Sequence, residues 1–593
     1  MEIMNKLYYT AERNVQIVIS LLKAHGIKNV IASPGTTNMT FVASIQNDPW
    51  FHIWSSVDER SAAYIACGMA SESGEPVVLS CTGATASRNY MPGLTEAYYR
   101  KLPILAITSH RGTQAIGHLH DQQIDRRNIP NDVALMSVTV PLVKDATDEE
   151  FCTIEVNKAI LELRKNGGGP VHINLFTKYD RDFSVKELPP VRKIERFKYY
   201  DILPSIPKHQ KIAVYVGAHS NFTEEQQNVI ENFCSNFNAV VFTDQTSGYH
   251  GKYSIQFQIA ICQNFMHSAF SEVDLLIHIG EVSGDCYKMH VNGEVWRVSE
   301  DGCLRDTFGK LTKVFQMREE DFFKYYTNNV DNETSYIDAC RKEVDKLIKE
   351  IPDLPFSNIW IAQQLYKILP VNSELHLGIY NCLRSWNFFP ILHNIYAKCN
   401  VGGFGIDGCV SSMIGASFIN PNKLFFGVFG DLAFFYDMNV LGNRHIGNNL
   451  RILLITNGRG TEFRLKPHPC YMFGDKADEY LCAAGHFGNK SKLLVKHYAL
   501  DLGFEYLSAT NKKEFNDVVE RFVTPELLEK PILLEVFTNT DDETEALELM
   551  THFAGTASAP KKSFINSAKQ KVKTIIGENR IKGIKSIIDN KKR

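Results

Sequence analysis

The 593 residues contain no CxxC pair and no His/Cys cluster at zinc spacing, and their thirteen cysteines are scattered. That pattern excludes a disulfide scaffold and a zinc finger, and it reads as reduced core thiols of a cytoplasmic protein. No apolar run approaches the roughly 18 residues that a membrane-spanning helix needs, and the start from Met1 to Arg13 is polar and mixed in charge, unlike a signal peptide. Nor is there a GxGxxG fingerprint for dinucleotides. Net charge is small, at -3, but unevenly placed. Residues 559–593 hold eleven Lys/Arg against Glu578 and Asp589, so the tail carries +9 and the remainder about -12. An acidic body argues against nucleic acid as a partner.

With 44% hydrophobic and 22% charged residues, the chain has the make-up of a globular protein, and its length calls for three or more domains. Residues 1–185 alternate helix and buried strand. Asn14 to His25 has apolar residues at helical spacing and Gly26 as its C-cap, and strands follow at Val30–Ala32, Pro76–Ser80, Pro103–Thr108 and Pro170–Phe176. This order predicts a parallel α/β sheet with ligands at the strand ends. A Pro- and Lys-rich linker covers 186–208. A central α/β domain spans 209–350, with strands at Ile212–Gly217, Ala239–Phe242 and Leu275–Gly280, and it reads as a spacer. Residues 355–550 repeat the first pattern with strands at Leu375–Ile379, Leu424–Phe429, Leu450–Thr456 and Ile532–Phe537, and 551–593 form the basic tail.

Chemistry concentrates at Gly430-Asp431-Leu432-Ala433, where a buried strand ends and a helix opens. Asp431 there can hold a hard cation, backbone N–H groups can face phosphate, and Asn457-Gly458-Arg459 closes the next strand with an amide oxygen and a carbonyl for the same ion. Thr82-Gly83 and Gly405-Ile406-Asp407-Gly408 lie in small-residue turns where a flat ring could approach the backbone. Glu59 opens an Ala/Gly-rich helix, a costly place for a carboxyl without a hydrogen-bond partner.

Taken together, Ser33-Pro34-Gly35, Asp58-Glu59-Arg60-Ser61, Thr82-Gly83, Gly405-Ile406-Asp407-Gly408 with Val410-Ser411-Ser412, and Gly430-Asp431-Leu432 with Asp437 and Asn439 resemble a known family. It is that of the thiamine diphosphate enzymes of the acetolactate synthase and pyruvate decarboxylase superfamily, in particular the menaquinone-pathway 2-succinyl-5-enolpyruvyl-6-hydroxy-3-cyclohexene-1-carboxylate synthases. The likeness runs over residues 10–545. It implies a pyrimidine-binding domain at 1–185 and a diphosphate/Mg²⁺-binding domain at 355–550. Glu59 would bond the aminopyrimidine ring, and Asp431, Asn457 and the Arg459 carbonyl would ligate Mg²⁺. Amides of Leu432 and Ala433 would cap the diphosphate, and Ile406 would wedge the cofactor into a bent shape. The implied reaction is decarboxylation of a 2-oxo acid with transfer of the acyl-anion equivalent to an aldehyde or ketone acceptor. Release of an aldehyde and a cofactor-binding inactive scaffold are the alternatives. The implied assembly is a homodimer or homotetramer with sites at subunit interfaces.

Two positions depart from the menaquinone enzymes. Thr36-Thr37-Asn38 replaces a loop that carries an Arg there, and Val401 stands where an Arg would meet the distal carboxylate of 2-oxoglutarate. Ser33, Thr36, Asn38, Arg384 and Val401 are therefore the candidate substrate residues, with Arg384 or Arg459 as a compensating cation and a smaller or uncharged donor as the simpler expectation. The segment Gln114–Gln123 supplies His118, His120 and Gln123 as candidate catalytic groups. In the tail, Phe564, Ala568, Val572, Ile575 and Ile576 keep helical spacing among lysines, a basic amphipathic pattern suited to weak contact with an anionic membrane surface.

Overall fold

Runs of Val, Ile, Leu and Phe with no polar alternation need cover on both faces, and a parallel sheet between helix layers provides it. A computed structural model describes residues 8–554, apart from 127, 207–210, 264–267, 272, 285–288, 290, 328–333, 393 and 486–490. The basic tail and its amphipathic pattern lie outside the described residues. The protein has three parallel sheets with helices between successive strands.

The first sheet holds β1 (Asn29–Ala32), β2 (His52–Ser55), β3 (Val77–Thr82), β4 (Ile104–His110), β5 (Met136–Val140) and β6 (Val171–Phe176), in the order β2-β1-β3-β4-β6-β5. A second group comprises β7 (Glu195–Lys198), β8 (Ile212–Val216), β9 (Val240–Thr243), β10 (Ser254–Gln256), β11 (Val273–Ile279), β12 (Val291–Ser299) and β13 (Leu311–Gln316). The last sheet holds β14 (Glu374–Leu377), β15 (Tyr396–Cys399), β16 (Phe425–Gly430), β17 (Leu450–Thr456), β18 (Glu505–Ala509) and β19 (Ile532–Phe537), in the order β15-β14-β16-β17-β19-β18. Counted from their own first strands, the first and last sheets share one order. The third and fourth strands of each lie side by side at its centre.

Among the described residues the chain divides into two compact units, Met1–Ile206 with Glu294–Phe322, and Pro207–Gly293 with Phe323–Arg593. The central group is divided between them. β7, β13 and most of β12 belong to the first unit, and β8 to β11 to the second. The 186–208 stretch, expected as a plain linker, carries β7, which pairs with β13 from Lys313↔Glu195 to Gln316↔Lys198. Within the second unit Gln245 joins the β8–β11 segment to residues that follow β14. Its Nε2 donates to the carbonyls of Trp386 (2.9 Å) and Phe389 (2.8 Å), and its N–H to Asn387 Oδ1 (3.0 Å).

The opening helix, Arg13–Ala24, buries its expected stripe of Val15, Val18, Leu21 and Leu22, but also Asn14, Gln16 and Ser20. Residues beyond the sheet explain the added burial: Ser20 Oγ donates to the Pro189 carbonyl, and Leu188 and Val191 pack on the same apolar cluster. Gly26, at φ 75°, ends the helix in the left-handed conformation that suits glycine.

His172 on β6 is buried between hydroxyls, with Nε2 2.7 Å from Thr108 Oγ1 and Nδ1 2.8 Å from Ser137 Oγ. Burial, aided by the Arg126 charge, pushes its pKa down to about 3. The unfolded chain takes up a proton near pH 6.5 that the folded chain refuses, so this histidine withdraws stability as pH falls from about 6.5 toward 3. His172→Asn, which can keep only one of the two hydroxyl contacts, is expected to lower stability at pH 7 by about 1–3 kcal/mol. It should also flatten the acid slope, and denaturant unfolding at a series of pH values measures both effects.

Candidate active site

Phe425–Gly430 is an almost fully buried strand, and its end delivers Asp431 at the first position of the helix Asp431–Asp437. The Asp431 carboxylate is 2% exposed and collects three backbone donors: Leu432 N–H on Oδ1 at 2.8 Å, and Asn457 N–H (3.1 Å) and Gly458 N–H (2.7 Å) on Oδ2. Burial still pushes its pKa up to about 6, because three amides do not replace the water it has lost. β17 runs beside β16 in register, Gly430↔Ile455, and so brings the Asn457 loop to the same point. Asn457 Oδ1 is buried without a hydrogen-bond partner. The Arg459 carbonyl accepts one bond, from Thr461 N–H at 2.9 Å, and keeps a second lone pair.

A carboxylate, an orphaned amide oxygen and a carbonyl make an all-oxygen donor set, the kind a hard divalent cation takes. Among the described residues no three His, Cys, Asp or Glu side chains converge, so a soft-metal site of that type is not what this loop offers. Glu535 lies beneath the loop and had no signal in the sequence. It is a buried β19 carboxyl that accepts from Thr456 Oγ1 and Tyr506 OH, both at 2.8 Å, and burial raises its pKa, with the Asp431 charge adding to the effect.

The loop is braced from outside. Arg459 Nη1 meets Asp478 Oδ2 at 2.6 Å, and Arg464 Nη1 meets Asp478 Oδ1 at 2.7 Å. Gly405, Ile406 and Asp407 form the turn before the helix Cys409–Ile419 and are only partly buried or exposed. A Cβ on Gly405 would stand 2.6 Å from Asp407 Oδ1. Ser411 joins this helix to the Asp431 helix, donating from N–H (2.6 Å) and Oγ (2.5 Å) to Asp437. Ala433, in that second helix, is buried.

Two of the candidate substrate residues are otherwise occupied. The Arg384 guanidinium forms a two-pronged ion pair with Glu462, Nη1 to Oε2 at 2.9 Å and Nη2 to Oε1 at 3.0 Å, so it is not a free cation for a substrate carboxylate. Val401 is 5% exposed and packs as a core aliphatic.

In the first unit, Glu59 begins the helix Glu59–Ser73, whose first turn is capped by Asp58 Oδ1 accepting from Arg60 and Ser61 N–H groups. Expected to be buried, Glu59 is half-buried in the single chain, because the first turn projects from the helix, and its Oε2 accepts from Asn89 Nδ2 at 3.3 Å. Around it stand exposed apolar side chains: Trp54, Val57, Tyr64 and Ile65.

The Ser33-Pro34-Gly35 loop presses on the Thr82-Gly83 turn at the end of β3. A Cβ on Gly35 would lie 1.9 Å from Thr82 Cγ2, so only glycine fits. Asn38, buried, holds the loop by donating from Nδ2 to the Ser33 carbonyl (3.0 Å) and Ser80 Oγ (3.3 Å). Thr37 Oγ1 donates to the Ser109 carbonyl at 2.7 Å, and its own carbonyl accepts from Thr177 Oγ1. Ser33 is buried, whereas Thr36 faces solvent.

His118 and His120 are exposed and Gln123 is half-buried, on a segment stitched by an Arg111–Asp121 ion pair of 3.0 and 3.2 Å. Among the described residues no hydrogen bond or ion pair connects these three to Glu59. The residue that sequence reasoning passed over on this segment is Arg126. It is 4% exposed, bonded to Thr108 Oγ1, and its Cζ would be 3.6 Å from a Cβ on Gly83.

Known proteins resemble this chain. The family described as "Thiamine pyrophosphate enzyme, N-terminal TPP binding domain" matches residues 13–129. Over 569 residues the chain is 30% identical to the 2-succinyl-5-enolpyruvyl-6-hydroxy-3-cyclohexene-1-carboxylate synthase of Bacteroides thetaiotaomicron, covering 92% of this chain and 99% of that one. The synthase of the same name from Bacteroides fragilis is 30% identical over 570 residues (92% and 99%), and that of Flavobacterium psychrophilum 28% over 568 residues (91% and 98%).

The fit of Gly35 against Thr82 yields a test. Gly35→Ala must push the loop off β3 or displace Thr82, an overpacking worth about 1–3 kcal/mol. The variant is expected to unfold at lower denaturant while Gly26→Ala, at a site with open space but a positive φ, loses only about 1 kcal/mol. Equal losses would place no special demand on the Ser33–Gly35 approach.

Proposed function

Because the chain belongs to the thiamine pyrophosphate-dependent enzyme family that includes the 2-succinyl-5-enolpyruvyl-6-hydroxy-3-cyclohexene-1-carboxylate synthases, we propose that it decarboxylates a 2-oxo acid and transfers the acyl-anion equivalent to a small carbonyl acceptor, with Mg²⁺ as the second cofactor. The observation that carries the metal half of this reading is the pairing of Asp431 with the orphaned Asn457 Oδ1. A bound cation would satisfy that oxygen and neutralise the buried carboxylate, replacing water that neither can reach.

When bound, thiamine diphosphate supplies the electron sink for the carbanion that decarboxylation leaves. The protein's part is to bind, orient and hold protons. Asp431, Asn457 and the Arg459 carbonyl would hold Mg²⁺. Glu59, at a helix start beside Asn89, would hydrogen-bond the aminopyrimidine ring. The Gly83 and Gly405 main chains leave room for close approach of a planar ring, and Ile406 would support it. His118, His120 and Gln123 remain proposed groups on the acceptor side, carried by a segment that must fold toward Glu59 to act.

The apolar surround of Glu59 supports assembly into a homo-oligomer, in which a second copy covers Trp54, Val57, Tyr64 and Ile65 and dries the carboxyl. No helix among the described residues is long and apolar enough to cross a membrane.

For the donor, the occupied Arg384 and the apolar Val401 support a 2-oxo acid with no distal carboxylate, pyruvate being the simplest. A buried apolar wall facing a second carboxylate would cost the enzyme specificity of about 10- to 100-fold.

Titration calorimetry and carbon dioxide release test this reading. Asp431→Asn and Asn457→Ala are expected to weaken Mg²⁺-dependent thiamine diphosphate binding by about 10- to 100-fold. Glu59→Gln is expected to leave that binding within about threefold while decarboxylation is lost, the split between orientation and proton handling. Across a panel of 2-oxo acids, monocarboxylic donors should give the higher kcat/KM. Glu462→Gln, which releases Arg384, should raise the 2-oxoglutarate value, and a wild-type preference for 2-oxoglutarate would sink the donor assignment.

A further inference from the structure

Beneath the Thr82-Gly83 turn is a cavity of about 20 Å³ bounded by Tyr90, Ala106, Thr108, Arg126, Ile129 and Val133, with Arg88 and His172 also on its wall. Arg126 is almost completely buried. One of its terminal nitrogens, Nη1, donates to Thr108 Oγ1, and the other, Nη2, is buried with no hydrogen-bond partner. A guanidinium taken out of water is ordinarily matched by a carboxylate, because an unpaired buried charge loses hydration that a hydroxyl alone does not restore. No carboxylate lines this cavity. The second arginine there, Arg88, adds to the positive field, and its Nη2 is spent on the Asp125 carbonyl at 2.8 Å. His172 contributes no charge at neutral pH, held neutral between Thr108 and Ser137.

Size selects the occupant. About 20 Å³ of water-accessible space suits a ligand the size of one or two waters and is small for phosphate or a 2-oxo acid. A water molecule would accept the Nη2 hydrogen bond but leave the buried Arg126 charge unneutralised. We propose that this cavity is a binding site for a monatomic anion, chloride under ordinary conditions, received by Arg126 Nη2 with Arg88 alongside. The site lies outside the cofactor reading above and does not depend on it. Its place is nonetheless telling, since the Arg126 Cζ sits 3.6 Å from where a Gly83 side chain would begin. An anion there fixes Arg126, and Arg126 anchors the base of the segment that carries His118, His120 and Gln123 to β4.

The test uses the full chain freed of halide by dialysis into sodium gluconate. At matched ionic strength, replacing gluconate by chloride or bromide is expected to raise the apparent Tm by about 2–4 °C, and Arg126→Gln should abolish that response. Because Arg126→Gln could lose its fold, wild-type crystals soaked in bromide give an independent reading, with an anomalous peak expected within hydrogen-bond distance of Arg126 Nη2. Bromide density absent from the cavity overturns the proposal, as does a Tm that is the same in gluconate and halide, either result meaning that the cavity holds water only.

Discussion

A carboxylate with almost no exposure, held by the N–H groups of Leu432, Asn457 and Gly458, is the constraint around which the second unit is built. Two of the donors come from the loop after β17 and the third from the helix after β16, so the arrangement exists only if the two strands run parallel, adjacent and in the observed register. Everything nearby serves that register. Gly427 has no side chain because Met413 and Phe429 already fill the place, Glu535 steadies Thr456 at the end of β17, and Asp437 fastens the neighbouring helix through Ser411. The energetic sense is that a buried carboxylate and an orphaned amide oxygen are both unfavourable alone, and a divalent cation between them would relieve both at once.

The first sheet repeats the last one strand for strand, yet its corresponding ends carry different chemistry. Where β16 ends in Gly430-Asp431, β3 ends in Thr82-Gly83, and where β17 ends in Asn457-Gly458, β4 ends in His110-Arg111-Gly112. One sheet presents oxygens to a cation. The other presents small residues backed by the buried cation Arg126, with His110 held neutral by burial, its pKa pushed down to about 3. The same topology thus offers two strand-end crevices of opposite electrostatic character.

Sequence reasoning reached this fold wherever strands are covered on both faces. β16, β17 and β19 are unbroken apolar runs, and their existence and order needed only periodicity and spacing. It missed the edge strands β2, β5, β7, β10, β15 and β18, most of them short or partly buried, and also the interior strands β12 and β13, where Asn292, Glu294, Arg297, Thr312 and Lys313 break the apolar run. The same divide holds for the site. Asp431, Asn457 and Glu59 stand at element ends, where a polar residue among apolar ones is visible. The pairing of Arg384 with Glu462 is invisible at 78 residues' separation, and Arg126 looks like one charge in a polar stretch until the fold buries it. Glu59 shows the reverse limit. Its Ala/Gly-rich helix suggested burial, but small residues also line surfaces that wait for another chain, and composition cannot tell the two apart.

The departures from the menaquinone enzymes' pattern are built into the structure. Had Thr37 merely replaced an arginine, it would stand idle in a solvent loop. Instead its hydroxyl bonds the β4 carbonyl of Ser109 and its carbonyl receives Thr177, which commits the position to holding the Ser33–Gly35 loop on the sheet. Val401 is likewise packed in the core, with Gly284 so close that a Cβ there would meet its Cγ1 at 3.1 Å. Arg384, the cation that could have stood in, is neutralised by two charge-assisted bonds to Glu462 at a partly buried site. Breaking such a pair to bind a carboxylate exchanges one ion pair for another and strands Glu462. At all three positions the residue present is committed to a contact within the protein. A chain that had lost function by drift would show vacancies at these positions. This one shows Thr37, Val401 and Arg384 each holding a structural contact instead.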